Sequence, residues 1–589
     1  MPAVTLDPPA DPNLATIIAR RDAELDELKA ALAKSCAALE DAQKTVSDLQ
    51  TYTAAFERVG ERSYNGVPLS KLFPQEKLGW RGYVEWEGNP ERKRVAAEIL
   101  NTKKFTPIPE FQFVPLPQTN PVLIGHRWKE YHQALGLKSI VDFSWETVLK
   151  EKPGMIHLLD FPYNGETPRR ELISGKLTDN EWHFVRNHGG IPDIDEDAFE
   201  LEIGGLVNKP TKISMKDLKD PSKFPQAEVT VTLQCSGTRR IEQIQLYPGD
   251  GDELINAPWG EGAIGTAVYR GVPLKKLLKL ACGGILPEAK HLEFIGADTY
   301  FKKSNVYNYA VSVPWRKVRQ NEEVLLAWEM NGKPLPKIHG YPLRAVVTGY
   351  IGARSTKWLY KINALAEPSM GPVQAAEYLY YSQQIGKHNV KMSNGFSIQN
   401  MPVSSAIISP PDKQVIIHDG EIEVKGWSYS GGGNWVERVE VSPDGGHVWY
   451  AVDQENMTEK VIPTHMPPPL VLIQLVEQHY YAWRLWTTKV PVDAQGWLEF
   501  CVRTWDSSNN TEPTFVRSAW NWDLHVTSSC HRIKVYSVNK SKAETAKRLA
   551  EIEAKGETFE PLTLPLEWEL EDREEYLARM RKYPREPLN

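Results

Sequence analysis

The sequence predicts a helical N-terminal segment, an α+β domain and an all-β domain. Between about residues 155 and 370, short apolar runs such as 228–233 alternate with turns and short helices, which is typical of an α+β domain. From about 400 to 537, strictly alternating runs such as 421–427 are separated by turns such as 443–446, which favours a β-sandwich. The chain has 589 residues, too many for one hydrophobic core.

The N-terminal segment, residues 14–58, has the apolar spacing of a helix. Its apolar side chains recur at steps of three and four: Leu25, Leu28, Leu32, Cys36, Leu39, Ala42, Val46 and Leu49. A seam of about three and a half heptads is just long enough for a coiled coil. It fits equally well one amphipathic helix that lies on its own domain, so both interpretations stay open.

These patterns divide the chain into five segments. They are an N-terminal helical, coiled-coil-like segment at 1–60, an extension and linker at 61–150, the α+β domain at 151–395, the β-sandwich at 396–537 and a charged C-terminal tail at 538–589. The linker contains the proline-rich stretch 105–121, which favours an extended conformation.

Composition and charge exclude several classes of function. The formal net charge is −7 and no basic block dominates, so we expect no nucleic-acid partner. The five cysteines are scattered without a C-x-x-C pair, which excludes a disulfide framework or a structural zinc site and suits a reducing compartment. Residues 1–12 lack the basic and apolar pattern of a signal, and the longest apolar run, 470–476, is too short to span a bilayer. We therefore expect a cytoplasmic protein without a membrane partner.

Cys235 is the most informative single residue. It follows a β-like run and precedes a Ser-Gly turn, after which come Arg239 and Arg240. A thiol beside fixed positive charge is expected to have a lowered pKa and to be present as thiolate, the form that attacks or ligates. The same arginines predict an anionic substrate. A lone cysteine is otherwise most often a small buried core residue.

Further motifs follow Cys235 in a fixed order. They are Trp-Gly-Glu-Gly-Ala-Ile-Gly at 259–265, Tyr-Arg-Gly-Val-Pro-Leu at 269–274, Gly-Trp-Ser-Tyr-Ser-Gly-Gly-Gly at 426–433 and Asp-Gly-Gly-His-Val-Trp at 444–449. With the cysteine segment, they resemble the sulfite oxidase and eukaryotic nitrate reductase family over roughly residues 75 to 537. The resemblance implies a molybdopterin-binding domain of the sulfite oxidase fold, followed by an immunoglobulin-like β-sandwich that forms a homodimer.

The same resemblance implies one molybdenum–molybdopterin cofactor per chain, with Cys235 as the protein ligand to the metal. A soft thiolate suits a redox-active metal, and Cys282 is then structural. Segments that match the family's cofactor contacts supply cationic and polar groups for the pterin and its phosphate. Their candidate residues are Phe184, Asn187, His188, Asp298, His339, Arg344, Ser355, Thr356 and Lys357.

A substrate pocket for an oxyanion is also implied. Sulfite oxidases line this pocket with three arginines, a tryptophan and a tyrosine. The positions that match are Arg186, Arg240, Trp259 and Tyr378. Because Tyr380 and Tyr381 follow so closely, the choice among the three tyrosines stays open.

The third arginine of the pocket has no counterpart in this sequence. The family segment reads Trp-Asn-Leu-Arg-Gly in sulfite oxidases, with methionine for arginine in nitrate reductases, whereas 520–524 reads Trp-Asn-Trp-Asp-Leu. An anion in place of a cation within about 5 Å of a dianion changes the interaction by several kcal/mol, even at an effective dielectric of about 20. Either Asp523 points away, or the substrate is not an ordinary sulfite-like dianion.

The resemblance implies an oxidoreductase that transfers an oxygen atom to sulfite or a related small oxyanion or sulfur compound. The sequence contains no His-Pro-Gly-Gly haem signature, and no flavin or NAD domain is recognised after residue 537, so oxygen or a separate protein is expected to accept the electrons. Two alternatives stay open. One is nitrate-reductase-like oxygen abstraction with external electron donors, and the other is a non-catalytic scaffold.

Overall fold

The computed structural model describes the chain in several stretches. They are residues 20–21, 23–36, 138–159, 161–246, 257, 259–302, 305–319, 323–382, 385, 395–459, 480–522 and 524–557, together with the backbone of 63–64 and 67–68. The chain divides into two units, residues 1–73 and 74–589, which we describe separately. None of the helices in these stretches is both long and apolar enough to cross a lipid bilayer.

The first unit contains a helix and a short hairpin. Residues 23–36 are helical, and Leu25, Leu28 and Leu32 are 50%, 67% and 65% exposed. Strands β1 (Ser63–Tyr64) and β2 (Val67–Pro68) pair antiparallel. The first part of the predicted apolar seam is therefore an exposed stripe, and its second part, residues 37–58, lies outside the described residues.

The second unit begins with the predicted α+β domain. Its helices are Lys138–Glu151, Arg169–Leu172, Met215–Leu218, Arg240–Leu246, Leu274–Cys282, Trp315–Val318 and Pro372–Ala375, with 3-10 turns at Lys337–His339 and Gly352–Arg354. Its strands are β3 (Ile156–Leu159), β4 (Asn164–Glu166), β5 (Val185–Arg186), β6 (Glu200–Gly205), β7 (Thr211–Ser214), β8 (Ala227–Gln234), β9 (Ile264–Pro273), β10 (His291–Lys302), β11 (Asn305–Pro314), β12 (Val324–Met330), β13 (Lys333–Pro334), β14 (Arg344–Val347) and β15 (Leu359–Leu365).

Three sheets organise these strands within the described residues. One has the order β11-β10-β15-β6-β7, in which β15 and β6 are parallel and the other neighbours antiparallel. Another has the order β13-β12-β9-β8, with β14 also paired to β12. The third, β3-β4-β5, is antiparallel throughout. The domain is therefore mixed in strand direction, as an α+β domain should be.

The position of Cys235 follows from the packing of β8. Side chains of a strand alternate between its two faces, so residues two apart share a face. Val231, Leu233 and Cys235 all belong to one buried apolar cluster, which also includes Ala267 and Tyr269 of β9. The same alternation continues past the end of β8, so the Cys235 side chain lies on the buried face of the strand.

Helix Lys138–Glu151 lies in the predicted 61–150 extension, and it contacts the α+β domain. The Glu151 carboxylate accepts hydrogen bonds from the backbone amides of Lys337 and Ile338, at 3.1 and 2.9 Å. These amides begin a 3-10 turn, where free N–H groups need acceptors. The helix thereby fixes the turn that carries His339.

The predicted all-β region forms two sheets around one apolar core. Their orders are β18-β20-β23 and β19-β25-β24-β21-β22, and the core includes Val424, Val441, Phe500 and Val535. A short pair, β16 and β17, precedes them, and helix Ala543–Ala554 follows in the predicted tail. The strands are β16 (Leu379–Tyr380), β17 (Phe396–Ser397), β18 (Ser404–Ser409), β19 (Val415–His418), β20 (Glu421–Tyr429), β21 (Val436–Ser442), β22 (Tyr450–Ala451), β23 (Arg484–Pro491), β24 (Gly496–Asp506) and β25 (His531–Asn539).

A buried ionic network joins the turn after Cys235 to this second domain. Arg239 has a left-handed backbone (φ 64°), is fully buried, and donates to the two Glu242 carboxylate oxygens at 2.6 and 2.8 Å. It also donates to the carbonyls of Ser405 and Ser529, at 3.0 and 2.8 Å. Glu512 lies 3.6 Å from the guanidinium, and burial raises the pKa of Glu512 to about 7.

Candidate active site

A cleft opens in the α+β domain beside Cys235. The cysteine directly follows β8, and further lining residues come from the turns on either side of β14. Most of the lining side chains are among those predicted from the sequence. The lining residues are His183, Phe184, Arg186, His188, Leu233, Cys235, Asp298, Tyr309, His339, Arg344, Gly352, Ala353, Lys357 and Tyr378.

The Cys235 thiol is held in place by backbone contacts and is only 5% exposed. Its amide donates to the Ala263 carbonyl at 2.9 Å, and the Gly237 amide donates to its Sγ at 3.4 Å. Burial raises the pKa of this thiol, although Arg240 and Arg186 oppose the shift. The expected lowered pKa is therefore wrong for the free thiol, because the desolvation cost exceeds the stabilisation by the arginines. A thiol that coordinates a metal ion is deprotonated by the ion itself.

The basic side chains of Arg186, Arg344 and Lys357 all line the cleft. Lys357 Nζ donates to the Ile338 carbonyl at 3.1 Å and to Asn187 Oδ1, and Arg344 donates to the His339 carbonyl at 3.1 Å. Burial, together with neighbouring cations, lowers the pKa of His339 well below its usual value. Such a concentration of buried positive charge calls for an anionic ligand.

The single carboxylate among the lining residues that the structure describes is Asp298. Burial raises its pKa to about 7, and the nearby Lys357 ammonium opposes that shift. Ser355 and Thr356 precede Lys357 in the same turn and are buried. The Ser355 hydroxyl accepts from the Val347 amide at 3.0 Å, so it fixes the turn to β14.

Several buried polar atoms around the cleft have no hydrogen-bond partner within the protein. They are Asn187 Nδ2, Asp298 Oδ1, Thr356 Oγ1, His183 Nε2, Trp259 Nε1 and the Tyr269 hydroxyl. Buried polar groups are almost always paired, because an unpaired group keeps its full desolvation cost. A pterin with a phosphate tail offers both donors and acceptors to such atoms. The orphaned atoms and the cationic wall therefore fit the molybdopterin that the sequence implies.

Of the three candidate tyrosines at 378–381, Tyr378 lines the cleft, whereas Tyr380 is 42% exposed and Tyr381 is not a lining residue. The Tyr378 hydroxyl lies 2.5 Å from His188 Nε2. Burial raises the pKa of Tyr378 to about 12, so its hydroxyl is protonated at neutral pH. Its backbone is left-handed (φ 53°), which is unusual for a bulky residue and is found where function requires it.

Of the other predicted substrate residues, Arg186 lines the cleft, whereas Arg240 and Trp259 are buried and are not among its lining residues. Arg240 donates to the carbonyls of Leu524 and Ala257, at 2.9 and 3.4 Å. Trp259 is fully buried and meets the Phe184 ring edge-on at 6.4 Å.

Asp523, which stands where sulfite oxidases have their third arginine, lies outside the described residues. Its orientation therefore stays a prediction.

Two lining residues and one buried lysine had no signal in the sequence. His183 meets His339 edge-on at 5.4 Å, and the Tyr309 hydroxyl donates to the Ala353 carbonyl at 2.6 Å. Lys152 is fully buried and donates to the carbonyls of residues 180, 181 and 183, which precede β5. A lone lysine at a helix end is usually solvated, and nothing in its local pattern distinguishes this one.

Comparisons with known proteins agree with this geometry. Residues 188–373 match an oxidoreductase molybdopterin binding domain, and residues 395–538 match a Mo-co oxidoreductase dimerisation domain. Sulfite oxidase from Arabidopsis thaliana is 34% identical over 379 residues, which cover 63% of this chain and 91% of that protein. The chain belongs to the sulfite oxidase family of molybdenum-cofactor oxidoreductases, which confirms the predicted family and its molybdenum–molybdopterin cofactor.

Other relatives are longer than the region they share with this chain. Mitochondrial sulfite oxidase from Homo sapiens is 35% identical over 378 residues, which span only 64% of that protein and 64% of this chain. Nitrate reductase from Hordeum vulgare is 32% identical over 417 residues, 67% of this chain and 43% of that protein. The sulfane dehydrogenase SoxCD from Paracoccus pantotrophus shares the fold, with a TM-score of 0.50, 24% identity, and coverage of 64% of this chain and 85% of that chain.

Proposed function

We propose that this protein oxidises sulfite, or a related small sulfur oxyanion, with a molybdenum cofactor held at Cys235. The observation that carries the proposal is that the buried Cys235 thiol, the Arg186 side chain and the Tyr378 side chain line one cleft. When bound, the cofactor supplies a metal centre that exchanges one oxygen atom and two electrons with the substrate. Overall, sulfite and water give sulfate, two protons and two electrons, which pass to oxygen or to a separate acceptor protein.

The side chains around the cleft bind the substrate and the cofactor. The planar Arg186 guanidinium binds the substrate oxyanion, and the buried Arg240, which is close enough to Cys235 to oppose the rise in its pKa, helps to offset the charge of the substrate. The Tyr378 hydroxyl stays protonated because its pKa is raised to about 12, so it donates a hydrogen bond to a substrate oxygen. His339, Arg344 and Lys357 would hold the pterin and its phosphate.

Metal analysis and a turnover screen test this proposal. Purified protein is expected to contain about one molybdenum per chain, bound through one cysteine thiolate, and to reduce ferricyanide when sulfite is added. Protein without molybdenum would support the scaffold alternative instead. Nitrate-dependent oxidation of a reduced viologen dye, without sulfite turnover, would support the nitrate-reductase alternative.

We further propose a homodimer through the immunoglobulin-like β-sandwich, with the N-terminal helix adding a coiled-coil contact. The dimerisation-domain match and the exposed leucine stripe on residues 23–36 support this arrangement. Deleting residues 1–58 is expected to leave a dimer that retains its molybdenum. Light scattering that showed a monomer after this truncation would make the helix, and not the sandwich, the dimer contact.

A further inference from the structure

Residues 520–522 and 524–526 lie between β24 and β25 and contact two segments outside the β-sandwich strands. The Asn521 side chain accepts from the Tyr381 amide at 3.0 Å and donates to the Leu379 carbonyl at 3.1 Å. The Val526 amide donates to the Ser236 carbonyl at 2.5 Å. The segment is therefore hydrogen-bonded both to β16 and to the turn that follows the cysteine ligand.

His525 belongs to this segment, is 5% exposed, and contacts the cleft-lining Tyr378 although it is not itself a lining residue. Its ring stacks on Tyr378, with centroids 4.7 Å apart and planes inclined by 21°. Its Nδ1 lies 2.9 Å from Ser236 Oγ and 3.3 Å from Arg240 Nη2. Because a guanidinium nitrogen can only donate, Nδ1 accepts from Arg240.

The backbone on both sides of His525 is strained. Leu524 and Val526 are left-handed, with φ of 53° and 55°, and Val526 is β-branched. This conformation is a genuine outlier for a β-branched residue, and it persists only where surrounding contacts hold it. The Leu524 carbonyl is one such contact, since it accepts from Arg240 Nε at 2.9 Å. The strained segment therefore holds Arg240 through two successive residues.

We propose that His525 is a positioning residue for the substrate site. Its Nδ1 orients Arg240, and its ring fixes Tyr378, so one side chain serves both substrate binding and turnover. This inference rests on the proposed sulfite oxidation. Loss of the Nδ1 acceptor should weaken anion binding, whereas loss of the ring should slow the step in which the Tyr378 hydroxyl assists.

Two variants separate these roles. H525F keeps a stackable ring without the acceptor, and it should raise the sulfite KM about tenfold with little change in kcat, since a hydrogen bond from a charged donor is lost. H525N keeps an acceptor near the Nδ1 position without the ring. It should lower kcat about two- to tenfold with little change in KM, the range typical for loss of an aromatic stack.

His418 provides the matched control, because it is also buried in the second domain but its Nε2 lies 2.7 Å from Ser537 Oγ of β25, and it contacts neither Arg240 nor Tyr378 in the structure described. H418F and H418N should change neither constant per molybdenum bound. Molybdenum content and Tm are measured for every variant, so that lost cofactor is not counted as lost turnover. The positioning role would be overturned if KM and kcat changed together in both His525 variants, or if neither constant changed.

A failure of the proposed function is distinguishable from a failure of this inference. If the wild-type protein contains molybdenum but does not oxidise sulfite, the proposed function is wrong. Calorimetric titration of the molybdenum-loaded protein with sulfate then tests His525 alone. About tenfold weaker sulfate binding in H525F than in wild type would support the role in orienting Arg240, since a charged hydrogen bond is lost. Equal affinity would overturn it.

Discussion

Cys235→Ser is expected to abolish sulfite turnover while the fold survives. A hydroxyl is a hard ligand with a far higher pKa than a thiol, so it cannot replace a thiolate toward a soft redox metal. The substitution is nearly isosteric. Because burial raises the pKa of the free thiol, serine also removes no charge from the apo protein. The hydrogen bond from the amide of residue 235 to the Ala263 carbonyl, and the packing around the end of β8, should therefore remain.

Steady-state kinetics with ferricyanide as acceptor check this expectation, with molybdenum measured in the same preparation. Cys282→Ser is the matched control, because Cys282 is also fully buried but ends helix Leu274–Cys282 in a separate apolar cluster. Its activity per molybdenum should equal that of wild type. If Cys235→Ser kept more than about a tenth of wild-type activity, Cys235 would not be the metal ligand.

Local sequence patterns predicted an α+β region and an all-β region, and the resemblance to the sulfite oxidase family supplied the candidate residues of the cleft. The β-sandwich follows from strict alternation in runs such as 421–427, since a half-buried strand needs apolar residues at every second position. The face that carries Cys235 follows from the same period in β8. Short motifs also deliver several site residues together, as 339–344 does for His339 and Arg344, so their order along the chain was informative.

Contacts between distant segments could not be predicted in this way. His525 meets Ser236 across 289 positions, and the chain contains no periodicity that links the two. Arg239 and Arg240 are equivalent as sequence, yet the Arg239 guanidinium binds Glu242 and the carbonyls of Ser405 and Ser529, whereas the Arg240 guanidinium binds Leu524, Ala257 and His525. The predicted direction of the pKa shift of Cys235 was wrong for a related reason. Neighbouring charges can be read from a sequence, but the depth to which a side chain is buried cannot.

Arg239→Met is expected to cause the largest loss of stability. The guanidinium is fully buried and compensates two carboxylates, those of Glu242 and Glu512. Removing one partner of a buried ion pair leaves an uncompensated charge and costs about 3–5 kcal/mol, whereas an exposed pair contributes about 0–1 kcal/mol. Arg270→Met is the matched control, because Arg270 pairs with Glu329 at 3.6 Å and its side chain is 44% exposed.

The loss in Arg239→Met should also depend on pH. Burial already raises the pKa of Glu512 to about 7 from an ordinary value of 4.5, and removing the arginine raises it further. A carboxyl whose folded pKa lies above its unfolded value lowers stability as pH rises from the unfolded toward the folded pKa. The Tm deficit should therefore be larger at about pH 8 than at about pH 5.5, where Glu512 binds its proton in the folded state. If the Tm deficit of Arg239→Met were equal at the two pH values, or no larger than that of Arg270→Met, Arg239 would not neutralise these carboxylates.

A double variant tests the same ion pair directly. Combining Arg239→Met with Glu512→Gln should recover part of the Tm at about pH 8, because one of the two uncompensated charges is then absent.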